Sequence, residues 1–181
     1  ERVLPAVMMV AVMSTAFTGQ AIAVGFDRRY GALKRIGATA LPKWGIIAGK
    51  SCAVAIVVAM QAIVLGVTAV ALGWRPSLLG LLLGAVVIVL GTIMFATLGL
   101  LLGGTLRAEI VLALANIVWF VLLGIGSVVL AGDGFPDALV HLARVTPSGA
   151  LALGLDEAVR GSMDWLAMAI LAVWAVIGGV L

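Results

Sequence analysis

With 181 residues, only 10% of them charged, and a mean hydropathy of +1.30, the chain has too few polar side chains to cover a water-facing surface; soluble domains carry about 25% charged residues. One cysteine, Cys52, excludes an internal disulfide framework and any multi-cysteine metal site, and one histidine, His141, excludes a His-rich metal or haem site within this chain. The formal net charge is only +3, so where the charge falls matters more than its sum.

The first apolar stretch runs from about Val3 to Gly25. It is too long for the apolar region of a signal peptide and ends without a cleavage site. Met8, Met9, Met13, Phe17 and Thr18 give it a pliable face. Flexible thioethers suit an apolar site that accepts varied ligands, and they suit plain packing equally well. Gln20 is costly in hydrocarbon unless it faces a cavity or bonds across helices.

Residues 26–44, FDRRYGALKRIGATALPKW, hold five of the eleven basic residues: Arg28, Arg29, Lys34, Arg35 and Lys43. Lys and Arg favour the cytoplasmic ends of spans, which places this loop in the cytoplasm. Placed on a helix, Phe26, Tyr30, Leu33, Gly37 and Leu41 form one stripe, with Arg28 and Arg35 opposite and Arg29 and Lys34 on the flanks. Such a helix either lies among lipid headgroups as an anchor or docks into a cytoplasmic partner.

The second stretch, 45–72, opens on GIIAGKS, which superficially matches a phosphate-binding loop. That pattern needs four residues between its glycines and a preceding strand; Gly45 and Gly49 enclose three, and an apolar helix follows. Lys50 reads instead as a side chain reaching the cytoplasmic headgroups. The third stretch, 78–102, carries GLLLG at 80–84 and again at 99–103, with Gly91 between them. Glycines near one face let helix backbones approach closely in lipid, within the chain or across a dimer seam. The fourth stretch, 110–131, contains Asn116 and Phe120, and the fifth runs from Trp165 to the end. GWRPS (73–77) and GGTLRAE (103–109) read as tight turns that make the flanking helices antiparallel neighbours.

The long connection 132–164 holds five acids against two basic residues, Arg144 and Arg160, and belongs on the outer side. Its first short helix carries Asp137, His141 and Arg144 on one face; Thr146-Pro147 breaks it. Ser148 is placed to cap a second helix, Asp156 pairs with Arg160 four residues on, and Gly161 ends it. The pair reads as an amphipathic cap dipping into the outer leaflet. No nucleophile–base set, no HExxH and no paired intramembrane acids appear, so no catalytic residue and no metal ligand set is assigned. The first four stretches exceed the roughly 20 residues that cross a bilayer. The start at Glu1 and the stop at Leu181, inside an apolar run, lead us to expect a fragment of a longer chain. Its Ala-, Gly- and Val-rich composition suits a high-GC bacterium.

The arrangement resembles the ABC-2 permease family, the membrane subunits of type-2 ABC exporters. RRYGALKRIGATALPKWGIIAGK (28–50) is similar to that family's first cytoplasmic loop: charged residues, a Gly, a Leu two residues on, a Pro before the next span and a Gly-Lys at its start. FPDALVHLARVTPSGALALGLDEAVRG (135–161) resembles the family's outer segment. Where many members carry an acid beside the coupling helix, this chain has Arg28-Arg29, with Asp27 the nearby acid. The resemblance implies an all-α integral membrane fold: a single domain over 1–181, a polytopic helical bundle with five spans of an expected six, a cytoplasmic coupling helix and an extracellular re-entrant pair. It assigns Phe26, Asp27, Arg28, Arg29, Tyr30, Leu33, Lys34, Arg35 and Gly37 to a coupling helix that fits a separate ABC ATPase subunit. It makes the first and fourth spans line the pathway, with Met9, Met13, Phe17, Gln20, Asn116 and Phe120 as substrate contacts.

By the same resemblance the chain is not itself an enzyme. It carries no cofactor; ATP and magnesium belong to the ATPase partner, and a second, identical or homologous permease completes a dimer in the cell membrane. Nucleic acid is not among the implied partners; membrane lipid is. The implied activity is export of a hydrophobic or amphipathic substrate such as a drug, a lipid or a lipid-linked precursor. The residues also leave open a dedicated haem-type export permease, a membrane scaffold anchored by its basic loop, and a membrane-embedded enzyme.

Overall fold

The computed structural model describes residues 3–31, 43–131 and 135–180, and within them the regular structure is entirely helical. Among the described residues four helices are long and apolar enough to cross a membrane: α1 (Val3–Arg29), α2 (Lys43–Ala71), α3 (Leu78–Thr105) and α4 (Ala108–Ala131). Two short helices, α5 (Asp137–Arg144) and α6 (Pro147–Val159), meet at 93° and together make a bent pair. The last helix, α7 (Trp165–Val180), has 16 residues, about 24 Å at 1.5 Å per residue. The protein is a polytopic helical membrane protein.

Helix ends fall where backbone chemistry stops them. After α2, Gly73 has φ +97°, its N–H donates to Val70 O at 3.0 Å, and Trp74 N–H donates to Ala69 O at 2.9 Å. This double bond closes the helix around a left-handed glycine. Three residues on, Ser77 Oγ accepts from Gly80 N–H at 3.0 Å and starts α3. Gly161 (φ +80°) closes α6 in the same way, with Ser162 N–H on Glu157 O at 3.0 Å. Asp164 Oδ1 then caps α7 by accepting from Leu166 and Ala167 N–H at 2.9 and 3.0 Å.

Two expected element boundaries move. Phe26 to Arg29 are not the start of a separate helix; they are the last turn of α1. Tyr30 N–H donates to Phe26 O, and Gly31, at φ +69°, turns the chain away. Of the expected helix over 26–37, the described part is helical to Arg29 and turns at Tyr30 and Gly31. Its remainder, with Leu33, Lys34, Arg35, Gly37 and Leu41, lies outside the described residues. At α6 the capping residue is Thr146, whose Oγ1 accepts from Gly149 N–H at 3.2 Å, not Ser148. Pro147 occupies the first helical position, where its missing N–H costs nothing, and that makes the residue before it the cap.

The packing is organised by α3 and α6. α3 packs most extensively on α1, α6 and α7 rather than on its chain neighbours α2 and α4. Its glycines explain why. A Cβ on Gly99 would stand 2.8 Å from Phe17 O, and one on Gly103 would collide with Ala21 O, both on α1. Gly80 and Gly91 meet α6 likewise, with Ala158 O 2.8 Å and Leu151 Cδ1 2.6 Å from the added carbon. Lipid gives no hydrophobic reward for helix association, so this close van der Waals approach is what binds the bundle. Leu151 is fully buried against the middle of α3. α6 thus enters the bundle rather than resting on it as a cap, whereas Ala143 is the one buried residue of α5. Phe95, Met94, Met9, Met13 and Leu171 complete the centre.

Candidate functional site

Two regions carry the polar chemistry of the bundle. The first is the end where α1 stops. Arg28 Nη1 on α1 donates to Gly103 O at 3.0 Å and to Leu106 O at 3.3 Å. A guanidinium on the last carbonyls of α3 answers both their unpaired lone pairs and the negative end of the helix dipole. Arg29 pairs with Glu109 in the first turn of α4, and Lys50 of α2 pairs with Asp27. Asp27, Arg28 and Arg29 therefore tie α1 to the three other long helices. Lys50 lies within α2, so the Gly45–Ser51 segment is helix and not a phosphate loop. Tyr30, by contrast, is 67% exposed, with its ring 6.0 Å from that of Phe26 and the Arg29 guanidinium 5.8 Å from its centre. A cavity of about 530 Å³ opens here between Gly25, Arg28, Arg29, Arg107 and Glu109.

The second region lies in the middle of α1. From Met13 to Gly19 the helix is wound as a π-helix, a form that concentrates at functional sites. On one side of this segment Thr15 Oγ1 donates to Gln61 Oε1 of α2 at 3.1 Å. On another, Trp119 Nε1 of α4 donates to Ser14 Oγ at 3.1 Å, while Ser14 donates to Val10 O. Between those two contacts Ser14, Thr15 and Thr18 are half-buried and Gly19 is exposed. The Ser14 and Thr15 hydroxyls are thus engaged with α4 and α2, and the exposed Gly19 bares the backbone beside them. Thr18 Oγ1 and the neighbouring Gln20 Nε2 are buried without a hydrogen-bond partner.

The six expected substrate contacts divide. Met9, Met13, Phe17 and Gln20 are buried within the bundle: the Met9 sulfur is held against Gly126, the Phe17 ring lies tilted against that of Phe95 with centres 6.2 Å apart, and Gln20 meets Gly99. Asn116 and Phe120 are exposed on α4. Asn116 Nδ2 donates to Leu112 O of its own helix at 2.7 Å. Phe120 packs edge-on against Trp119, ring centres 4.9 Å apart. The polar face of α1 is composed of Ser14, Thr15 and Thr18 with Gln61 and Trp119. The signal in the sequence is three hydroxyls within five residues of an otherwise apolar span.

Comparison with known proteins identifies one relationship. A family model described as ABC-2 family transporter protein matches residues 3–181. No curated protein and no solved structure matches the chain.

Proposed function

The chain belongs to the ABC-2 family of transporter proteins, and from that premise we propose that it is the permease half of an ATP-driven exporter for a hydrophobic or amphipathic substrate. The observation that carries this reading is the π-helical segment Met13–Gly19 of α1, where Thr18 Oγ1 and the adjacent Gln20 Nε2 are buried without a hydrogen-bond partner. Polar groups are costly in a membrane interior and mark a pathway or a functional contact there, as π-helical turns do. This segment, with Ser14, Thr15 and Thr18, therefore borders a pathway shared with a second permease, the same or homologous. The exposed Asn116 and Phe120 on α4 flank that pathway, and the buried Met9, Met13, Phe17 and Gln20 support it from behind.

The end bearing Arg28, Arg29 and Lys50 is the cytoplasmic one by its excess of basic residues, and the α5–α6 pair is then extracellular, in the plasma membrane. A separate ABC ATPase, carrying ATP and magnesium, docks at the cytoplasmic end. Phe26 and the exposed Tyr30 begin its contact surface, which continues into Leu33, Lys34, Arg35 and Gly37. Closure of two ATPases shifts the paired permeases from inward- to outward-facing, and the shift is limited to the difference in binding free energy between those states.

The protein purified gently from its native membrane tests this reading, beside a variant carrying Tyr30→Ala and Leu33→Ala that keeps every charge. An ATPase that accompanies the wild type and is lost from the variant supports it. An ATPase absent from both would return the basic loop to lipid anchoring and end the exporter reading.

A further inference from the structure

Near the turn that joins them at Arg75, α2 and α3 border an apolar groove of about 610 Å³, within the ~300–1,000 Å³ range of small-molecule sites. Its walls are Ala59 to Val70 of α2 and Gly80 to Val89 of α3, and its floor is Met8, Leu155 and Val159. Gly84 contributes open space, with nothing within 4 Å of an added Cβ. The wall on α3 is about 14 Å long at 1.5 Å per residue. That is the depth of one leaflet's hydrocarbon, half of a core roughly 30 Å thick. Leu4, Trp74 and Val159 also line a second cavity of about 720 Å³, which carries the groove out to Arg75, Arg160 and Asp156. Arg160 is paired with Asp156 at 2.8 Å. Arg75 is exposed and pairs with no acid among the described residues.

We propose that this groove holds one acyl chain of an anionic phospholipid from the leaflet at the Arg75 end, with its phosphate on Arg75. The dimensions match a lipid rather than a compact ligand: an apolar slot one leaflet deep, a tryptophan at the level where aromatic rings mark the membrane interface, and a free guanidinium just beyond it. Arg binds phosphate oxygens through its planar fork of donors. The α2–α3 crevice continues towards the opposite end as a cavity of about 410 Å³ lined by Ser51, Cys52, Thr92 and Thr97, and no cation among the described residues lines it. Lys50, next to Ser51, is held by Asp27. Among the described residues, the unpaired cation beside this crevice is therefore Arg75.

The full chain, delipidated in neutral detergent, would be offered phosphatidylglycerol or phosphatidylcholine with identical acyl chains, and retained lipid counted by native mass spectrometry. Wild type is expected to retain one phosphatidylglycerol about five-fold more tightly than phosphatidylcholine, the ratio for one basic side chain at a charged membrane surface. Arg75→Gln abolishes that preference, Arg75→Lys keeps most of it, and Gly84→Leu, which fills the slot, abolishes retention of both lipids with an unchanged melting midpoint. Equal retention of the two lipids by wild type, or an undiminished preference in Arg75→Gln, would overturn the headgroup site. Unaltered lipid retention in Gly84→Leu, with loss of a co-purifying chain, would show the groove to be covered by another protein helix and overturn the proposal as well.

Discussion

The guanidinium of Arg28 lies 3.0 Å from the carbonyl oxygen of Gly103, so part of the most basic stretch of the sequence is spent on holding the end of α3. The same α3 residue lets its backbone touch α1 at Ala21. Arg28 and Gly103 thus close one helix crossing twice, by a charged hydrogen bond at the helix end and by the missing side chain. Charge that composition alone would assign to lipid headgroups or to a partner is here committed to the fold.

Arg28→Gln should lower the stability of the purified protein by about 1 kcal/mol. Hydrogen bonds to charged groups are worth about 1.5–3 kcal/mol, and the exposure of Arg28 reduces that figure. Arg28→Lys keeps the charge but has a shorter reach to the two carbonyls that Nη1 bonds, and should recover only part of the loss. Thermal unfolding in detergent reads both. Equal midpoints for wild type and the Arg28→Lys variant would reduce the role of Arg28 to charge alone.

The two GLLLG repeats make a controlled pair. Gly103→Ala puts a methyl group into the Ala21 carbonyl, and Gly99→Ala puts one 2.8 Å from Phe17 O. Each should destabilise by about 1–3 kcal/mol, the usual range for overpacking. Gly84→Ala, in open space, should be neutral or slightly stabilising, since alanine is about 1 kcal/mol better than glycine within a helix. Melting midpoints that failed to separate Gly103→Ala from Gly84→Ala would contradict the close α1–α3 crossing.

The spans were legible because long apolar runs bounded by charge or by Gly and Pro admit little else. Gly161 and the Asp156–Arg160 pair were legible too, since a left-handed turn and an i,i+4 ion pair are local. The face that each span turns inward was not. In a soluble helix polarity marks the outside, but in lipid Met9, Met13 and Phe17 serve a protein interior or a cavity without changing the pattern. Packing partners were equally hidden: tight turns make α2, α3 and α4 antiparallel neighbours, but nothing local says that the glycines of α3 match α1 and α6. The carbonyl partners of Arg28 are 75 and 78 residues away, and no spacing rule reaches them.

The start of α6 separates Thr146 from Ser148. Thr146→Ala removes the acceptor for Gly149 N–H and should cost about 1 kcal/mol, as lost caps do. Ser148 is completely buried, and its Oγ has no partner. Ser148→Ala should therefore be neutral or stabilising, because an unsatisfied buried hydroxyl carries a desolvation penalty of about 1–3 kcal/mol. A larger loss for Ser148→Ala than for Thr146→Ala in unfolding experiments would show that Ser148 has a partner after all.

The hydroxyl face of α1 and the buried methionines behind it should respond differently to substitution. Met13→Ala empties a fully buried site and should cost about 2–5 kcal/mol of stability. Thr15→Val removes the donor to Gln61; interhelical hydrogen bonds of this kind average about 0.6 kcal/mol, so the fold survives. If the face lines the pathway, Thr15→Val and Thr18→Val alter substrate-stimulated ATP hydrolysis of the reconstituted transporter while its melting midpoint stays within a few degrees of wild type. Pairing Thr15→Val with Gln61→Leu tests the bond itself, since the double variant should lose little more stability than either single one. Unchanged transport and stimulated hydrolysis in both threonine variants would move the pathway away from α1, whatever the family relationship.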